Sequence, residues 1–165
     1  MRIFNLLLTT SLLAVLGSFS AGAHAADDAI KVTSIAQIEV QVTDKKGRKT
    51  LKRTPVDKAV PGTEVIFSNT FENTLKNPVK NIVINNPIPV ETEYRADSAF
   101  GKDCEIQFSI DGGKTYGHVE ELKVNDPKDQ QRIALAKEYT NIRWTYKVPL
   151  AAGKSGEVGF RATIK

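Results

Sequence analysis

The stretch NIRWTYKV, residues 141–148, decides the fold. Its apolar members occupy every second position from Ile142 to Val148, which is the period of a half-buried β-strand. A turn-rich connection over 149–156 leads to a second run with the same period, in which Val158, Phe160, Ala162 and Ile164 alternate with smaller or polar residues. The sequence therefore predicts that the chain closes with two strands and that Trp144 packs in the core between two sheets.

The same alternation recurs through the rest of the chain and predicts an all-β domain. Asp111-Gly112-Gly113 predicts a hairpin turn with a returning strand over 116–124. Residues 129–137 are the only stretch with helical character, and a single turn in a loop is the alternative. Because no strand–helix–strand rhythm appears, seven to nine short strands indicate a sandwich or barrel. The remaining strands are predicted at 38–42, 49–54, 65–71, 79–85, 92–96 and 106–110, with 65–71 central because both of its faces carry apolar residues.

The N-terminus has the organisation of a cleavable secretory signal peptide. Arg2 supplies a positive charge, residues 6–17 are mostly apolar, and Ala23-His24-Ala25 matches the small-residue cleavage pattern. An uncleaved membrane anchor is the alternative, but a spanning helix needs about 20 apolar residues, and this run has roughly a dozen. We expect a signal peptide over 1–25 with cleavage after Ala25, a leader over 26–34, a single domain over 35–165, and export to the periplasm or the extracellular space.

The composition of the mature chain is typical of one ordinary folded domain. Cleavage leaves 140 of the 165 residues, and loss of Arg2 lowers the formal charge from +4 to +3. A chain of this length buries about two-thirds of its unfolded surface, so it needs no disulfide. The mild charge demands no nucleic-acid partner, and no later stretch is long enough to span a membrane. Cys104 is alone, so it is either a buried thiol or pairs between chains; the oligomeric state stays open.

Three stretches carry a resemblance to a known family. They are residues 61–70 (PGTEVIFSNT), residues 83–95 (VINNPIP and then TEYR), and the closing run 142–160. Their order resembles that of the bacterial conserved-repeat family called domain of unknown function 11, over 61–165 with a long insertion over 103–139. The resemblance implies an immunoglobulin-like antiparallel β-sandwich in an exported or surface setting, and it brings no catalytic residues. Such modules are usually repeated in long surface proteins, whereas here one copy follows a signal peptide.

The residue types that could carry catalysis or bind a metal are few. His118 is the only histidine after the signal peptide, and no G-x-S-x-G turn is present to supply a serine nucleophile. Gly153-Lys154-Ser155 lacks the earlier glycine of a phosphate loop and is interpreted as a turn. One Cys and one His cannot complete a zinc site. Four aspartates near loops are calcium candidates without the D-x-D-x-D-G pattern: Asp103, Asp111, Asp126 and Asp129. We therefore predict no enzyme activity and no catalytic, cofactor-binding or metal-binding residues.

The densest charge cluster is basic and lies in a predicted hairpin. We call it the basic hairpin cluster, and its members are Lys45, Lys46, Arg48, Lys49, Lys52 and Arg53. Such a cluster can dock on anionic glycans or other polyanions. The alternative is a solvated hairpin tip, since edge strands often carry lysines that discourage aggregation. The aromatic residues that stack on nucleic-acid bases are not interleaved with it.

Two functional hypotheses from different classes follow. The first is an exported, non-catalytic structural or interaction module of the cell envelope or extracellular space, which binds another envelope or surface protein through a sheet edge or loops. The alternative is a carbohydrate- or polyanion-binding module that uses the basic hairpin cluster. A third hypothesis, an enzyme, requires a pocket that combines His118 with several carboxylates.

Overall fold

The structure is a computed structural model that describes residues 29–127 and 130–165. In this part of the chain nearly all regular structure is β-strand, and two antiparallel sheets pack around a shared core. The predicted all-β sandwich is therefore confirmed. The predicted signal peptide over 1–25 lies outside the described residues. No helix in the described ranges combines the length and apolar character needed to cross a lipid bilayer.

The strands form two sandwich sheets and one small separate hairpin. Along the chain the strands are β1 (Ile30–Thr43), β2 (Lys49–Pro55), β3 (Glu64–Asn73), β4 (Val83–Pro87), β5 (Thr92–Tyr94), β6 (Phe100–Gly101), β7 (Cys104–Ser109), β8 (Lys123–Asn125), β9 (Gln131–Ile133), β10 (Asn141–Tyr146) and β11 (Ser155–Ile164). The first sheet has the order β2-β1-β3-β11-β5, with β6 also paired to β11, and the second has the order β4-β10-β7. β3 is central, as predicted, because it lies between β1 and β11. β8 pairs only with β9.

The core is built from the alternating residues of the strands that are clearest in the sequence. Trp144 on β10 and Phe160 on β11 are both 0 % exposed, and their rings stack with centroids 6.4 Å apart. Phe160 also stacks on Phe67 of β3, with centroids 5.3 Å apart. A buried aromatic side chain removes about 150–250 Å² from water, so this cluster makes a large apolar contribution to the sandwich. The prediction that Trp144 is a core residue is confirmed.

The first strand begins earlier than predicted. β1 starts at Ile30, so the last five residues of the predicted leader are strand and that part of the prediction is wrong. The reason is pairing with β3, where Ile30 lies opposite Asn73 and Val32 opposite Phe71. Every second residue of this strand lies on the core side, but Ser34 and Ala36 occupy two of these positions in place of large apolar residues. The early part of the strand therefore gives only a weak alternating pattern in the sequence.

The segment after the Asp111 turn does not return as a hairpin strand. A single bridge joins Phe108 to Gly117, and a 3₁₀ turn over Val119–Glu121 follows it. β8 then pairs with β9 rather than with β7. The prediction of a strand over 116–124 is wrong because the Asp111 carboxylate organises a longer loop than a two-residue turn.

Two further boundaries differ from the predictions. In the stretch 129–137, β9 occupies Gln131–Ile133, and only a single 3₁₀ turn over Ala136–Glu138 is helical, so the alternative of one turn is the closer description. β4 begins four residues later than predicted and ends two residues later, so that it includes Pro87. A strand tolerates proline where the backbone nitrogen points away from the neighbouring strand.

Candidate functional site

The basic hairpin cluster does not form one continuous surface. The second half of β1 pairs with β2 alone, since β3 pairs with β1 only as far as Gln37. Lys52 lies opposite Val40, whereas Arg53 lies opposite Glu39. Neighbouring residues of a strand point to opposite faces, so Lys52 and Arg53 project from different sides of the hairpin. The strand part of the cluster is therefore divided between two faces.

The turn of the hairpin is organised by Asp44. Its carboxylate accepts the backbone N–H groups of Lys46 at 2.8 Å and Arg48 at 2.9 Å. It also accepts Nε of Arg48 at 2.7 Å. These hydrogen bonds, first that of the Arg48 backbone, lower the pKa of Asp44. Arg48 is thus partly neutralised within the turn.

Arg53 at the base of the hairpin is also neutralised by contacts within the domain. Its Nη1 donates to Oε1 of Glu157 at 3.2 Å, and its Nε lies 3.9 Å from Oε1 of Glu39. The guanidinium sits 5.5 Å from the centroid of the Phe100 ring, within the range of a cation–π contact. Two of the six cluster residues, both arginines, therefore already have partners.

Arg161 of β11 ties the base of the hairpin to the middle of the first sheet. Its guanidinium donates to both carboxylate oxygens of Glu39, at 3.1 and 2.9 Å, and to Oε1 of Glu64 at 2.8 Å. The hydrogen bond from Arg161 lowers the pKa of Glu39. Burial opposes ionisation of Glu64, but hydrogen bonds from Arg161 and Arg95 outweigh it, and its pKa also lies below the ordinary value. The network spans β1, β3 and β11 and so orients the hairpin.

A second candidate surface is the free edge of the first half of β1. The backbone of Thr74 donates to Ala29 on the β3 side, whereas Val56 donates to Ala36 on the β2 side. In an antiparallel ladder the bonding residues alternate. The N–H and C=O groups of Ile30, Val32 and Ser34 therefore point away from β3, and β2 pairs only from Gln37 onward. This half of β1 is an open sheet edge within the described structure.

A groove runs along this open edge. It has a volume of about 360 Å³ and lies between Ala29, Ile30 and Val32 on one side and residues 79–84, which end in β4, on the other. Val32 is 47 % exposed although it is on the core side of β1, because the three strands of the second sheet do not cover the outer strands of the first. Val83 on the opposite wall is 46 % exposed. We call the free β1 edge and this groove the open seam.

Two other free edges, those of β4 and β2, carry residues that discourage strand pairing. Ile82 and Ile88 flank β4, and their backbone groups bond to the β10 side. The residues between them alternate in direction, so Pro87 has its nitrogen on the free edge. Pro55 occupies the equivalent outward position of β2. Lysines and prolines are common protections of sheet edges. The β1 edge over residues 30–35 has no proline and a single lysine, Lys31. Among these three edges it is therefore the least protected.

His118 lies on the outer side of the second sheet. Its Nε2 is 3.2 Å from Oε1 of Glu105, and its side chain is 42 % exposed. Glu105 also pairs with Lys147, whose hydrogen bond lowers the pKa of the carboxyl. Within the described residues the imidazole of His118 pairs with this carboxylate, and the backbone N–H of His118 donates to Oε2 of Glu121 at 2.8 Å.

The calcium candidates are not brought together in one site. Asp111 accepts Thr115 Oγ1 at 2.6 Å and the backbone N–H groups of Lys114 and Thr115, and these bonds, led by Thr115, hold its pKa far below the ordinary value. Asp103 occupies a separate turn with a φ of 59°. In the described ranges no group of three or more His, Cys, Asp or Glu side chains is placed to hold a metal ion. Asp129 lies outside those ranges.

Cys104 at the start of β7 is partly buried and makes no disulfide. Its Sγ lies 3.5 Å from the carbonyl oxygen of Lys102. Burial, and then the charge of Asp103, raises the pKa of the thiol. A raised pKa keeps the sulfur protonated and lowers its reactivity as a nucleophile.

Comparison with known proteins returns no matching family model, no matching curated protein and no matching solved structure. The functional argument therefore rests on the residues and geometry described above. The residues of the open seam were not predicted from the sequence, although binding through a sheet edge was. The available signal was the run Ile30–Ile35, in which Ile30 and Val32 alternate with polar residues and no proline interrupts them.

Proposed function

We propose that this chain is an exported, non-catalytic interaction module that binds an extended segment of another envelope or surface protein at the open seam. The segment adds a strand to the free half of β1, in line with β2. Strand addition to an exposed sheet edge is a recurrent mode of peptide recognition, in which backbone hydrogen bonds supply affinity and alternate side chains supply specificity.

The observation that carries the proposal is the backbone of Ile30, Val32 and Ser34, whose outward-facing groups have no partner strand in the described part of the chain and lie beside a partly apolar groove. These residues direct their N–H and C=O groups to the same open edge, so their spacing suits an extended peptide and no other regular structure. Every second side chain of such a peptide faces the groove, where Val32 and Val79 offer apolar contacts. The partner segment therefore alternates apolar residues.

The charges around the open seam set a second requirement on the partner. Lys31 is exposed on β1, and Lys80 lines the groove on the opposite wall. Both are positive, so an acidic residue among the outward positions of the bound segment would be attracted to them. Such an attraction raises specificity and the association rate more than the affinity. The partner is therefore an extended segment with alternating apolar side chains and at least one carboxylate.

Two sequence features support the exported setting. Residues 1–25 have the pattern of a secretory signal peptide, with cleavage predicted after Ala25. The resemblance to the conserved-repeat family called domain of unknown function 11 is in keeping with an envelope or surface location, and it stays a prediction. A periplasmic and an extracellular location are both compatible with these features.

The experiment compares two proline substitutions on different free edges. Val32→Pro removes an outward-pointing N–H from the open seam and places a ring where the added strand would lie, without removing a bond to β3. Leu51→Pro makes the same change at an outward position of β2 and is the matched control. Both sites tolerate proline because their nitrogens face away from the neighbouring strand. Each full-length variant is expressed in the native host, and its specific partners are captured from envelope extract.

We expect Val32→Pro to lower capture about tenfold, since it removes an edge hydrogen bond and blocks its neighbours. Leu51→Pro should capture as wild type does. Thermal unfolding of both variants checks that the domain remains folded. Equal capture by all three proteins, or a loss confined to Leu51→Pro, contradicts binding at the open seam, and a wild-type chain that captures no specific protein contradicts the interaction function itself.

A second candidate function has one specific observation in its favour. Four lysines of the basic hairpin cluster have no ion pair within the described residues, and three of them are at or next to the hairpin turn: Lys45, Lys46 and Lys49. We therefore propose, as the alternative, weak binding of a polyanion at this tip. The division of the strand cations between two faces makes it the less favoured candidate.

A further inference from the structure

A pocket of about 500 Å³ opens on the side of the sandwich where β5 faces β7. Tyr94 of β5 and Phe108 of β7 form part of its wall, with ring centroids 5.6 Å apart. Tyr139 closes it from the segment after the second 3₁₀ turn, with its centroid 4.8 Å from that of Phe108. Pockets of about 300–1,000 Å³ with mostly apolar walls are the usual sites of small ligands. The pocket lies across the sandwich from the open seam.

Asp97 is the one charged residue that lines this pocket in the described structure. No hydrogen bond or ion pair neutralises its carboxylate there. Glu138, which neighbours the pocket wall, is already held by Arg132 through two hydrogen bonds of 2.7 Å. The open pocket therefore presents a single unpaired negative charge beside aromatic rings.

The hydroxyl of Tyr139 is a second unsatisfied polar group of the pocket. The residue is only 7 % exposed, lines the pocket, and has no hydrogen bond from its hydroxyl to the described residues. The Tyr94 hydroxyl, by contrast, accepts the backbone N–H of Ala99 at 3.2 Å. Burial, followed by nearby charges that include Asp97, raises the pKa of Tyr139. Trp144 Nε1 is the buried side-chain atom without a partner in the described residues, so the Tyr139 hydroxyl is open to solvent and available to a ligand at the pocket.

The loop that carries Asp97 is anchored by hydrogen bonds of Ser98. Asp97 has a φ of 57°, a left-handed conformation that short polar residues tolerate. Oγ of Ser98 lies 2.6 Å from the carbonyl oxygen of Arg95 and accepts the backbone N–H of Arg161 at 3.0 Å. These bonds anchor the backbone that carries Asp97 at the rim of the pocket, which reduces the ordering that binding requires.

We infer that this pocket binds a small organic cation, an ammonium group attached to an apolar or aromatic body. The body packs against the wall that Tyr94, Phe108 and Tyr139 form together, and the ammonium lies at the rim beside Asp97. Aromatic faces attract cations, and the unpaired carboxylate attracts the same charge while it repels anions. Neither group favours an anionic ligand, and a neutral one uses only the apolar wall and the Tyr139 hydroxyl.

The test titrates purified protein with three probes of similar shape and different charge. They are 2-phenylethylamine, which is cationic, 2-phenylethanol, which is neutral, and phenylacetate, which is anionic. The readout is the backbone amide NMR signals of the alanines that line the pocket, Ala99, Ala134 and Ala136. We expect the amine to bind with a dissociation constant on the order of 1 mM, the alcohol more weakly, and the anion most weakly.

Two variants separate the charge from the shape of the pocket. Asp97→Asn should weaken amine binding about threefold and leave alcohol binding unchanged, as expected for an exposed ion pair. Asp103→Asn is the matched control, because Asp103 is also exposed with a φ of 59° but does not line the pocket. Tyr139→Phe should keep the fold and weaken both the amine and the alcohol.

Several outcomes overturn the inference. Equal binding of amine and anion, or an equal effect of Asp97→Asn and Asp103→Asn, removes the assignment of a cation site. The absence of shifts at the lining alanines with each probe at about 10 mM removes the pocket as a ligand site. These results do not depend on the open seam, so they fail or succeed separately from the proposed function.

Discussion

Phe160→Ala should destabilise the packing between the two sheets of the sandwich. Phe160 is 0 % exposed and contacts three rings, with centroids 5.3 Å from Phe67, 6.1 Å from Tyr94 and 6.4 Å from Trp144. It joins the first sheet to Trp144 of the second. Its loss therefore removes packing from both sheets and from the pocket wall at once.

The expected loss in the free energy of unfolding follows from the burial and the size of the Phe160 side chain. Truncation of a fully buried Phe to Ala costs about 3–5 kcal/mol in the free energy of unfolding. Small domains have about 5–15 kcal/mol in total, so the loss is a large fraction of the stability of the domain. With a urea dependence of about 2 kcal/mol per molar, the unfolding midpoint falls by about 2 M. Phe160→Leu, which leaves a smaller void, should lose about 1–2 kcal/mol.

The assay is urea unfolding followed by the fluorescence of Trp144, the single tryptophan of the chain. Val90→Ala is the control because Val90 is apolar but 84 % exposed, and surface changes of this kind stay within about 0.5 kcal/mol. The reasoning is refuted if Phe160→Ala loses less than about 1 kcal/mol, or if Phe160→Leu and Val90→Ala lose equal amounts.

Three further predictions test other parts of the account. Arg161→Met removes the partner that lowers the pKa of Glu39 and Glu64. A carboxyl group whose pKa is lowered in the folded state stabilises the fold at pH values above its ordinary pKa, and this stabilisation is lost as the pH falls. The variant should therefore melt a few degrees below wild type at about pH 7, and the difference in melting temperature should close near pH 3. A constant gap in thermal unfolding across that range would contradict the linkage. Mass spectrometry of the exported protein should find a chain that begins after Ala25, and an intact N-terminus would count against the signal peptide. Serine in place of Lys45, Lys46 and Lys49 should lower the salt concentration that elutes the protein from a heparin column if the alternative function holds, and unchanged elution would remove that alternative.

Regular alternation made much of the sandwich predictable from the sequence. The run around Trp144 and the run around Phe160 have one large apolar residue at every second position, and both are strands with buried alternate residues. β6 was missed because Phe100–Gly101 is only two residues long and is defined by its pairing with β11. The early part of β1 was missed because its apolar alternation is weak. It forms a strand because it pairs with β3, and this pairing is not visible in the local sequence.

The candidate sites depended on contacts that the sequence does not encode locally. The basic hairpin cluster was visible as a charge run. Its Arg48 pairs with the nearby Asp44, but Arg53 pairs with Glu157 of β11, which lies 104 positions away in the sequence. The open seam requires knowledge of where β2 stops pairing with β1. The pocket joins Tyr94 to Tyr139 across 45 positions of sequence, with centroids 5.8 Å apart. Each of these depends on strand order, which alternation alone does not specify.

Photo-crosslinking at Lys31 in the native envelope tests the central claim most directly. A photoreactive residue at Lys31 sits on the free edge of β1, and an added strand would place its neighbouring side chain about 5 Å away. The same residue at Leu51 samples the free edge of β2. We predict a specific crosslinked protein from position 31 and none from position 51, with the attachment mapped to an extended segment of alternating apolar residues. Crosslinks from position 51 alone, or from neither position, would contradict binding at the open seam.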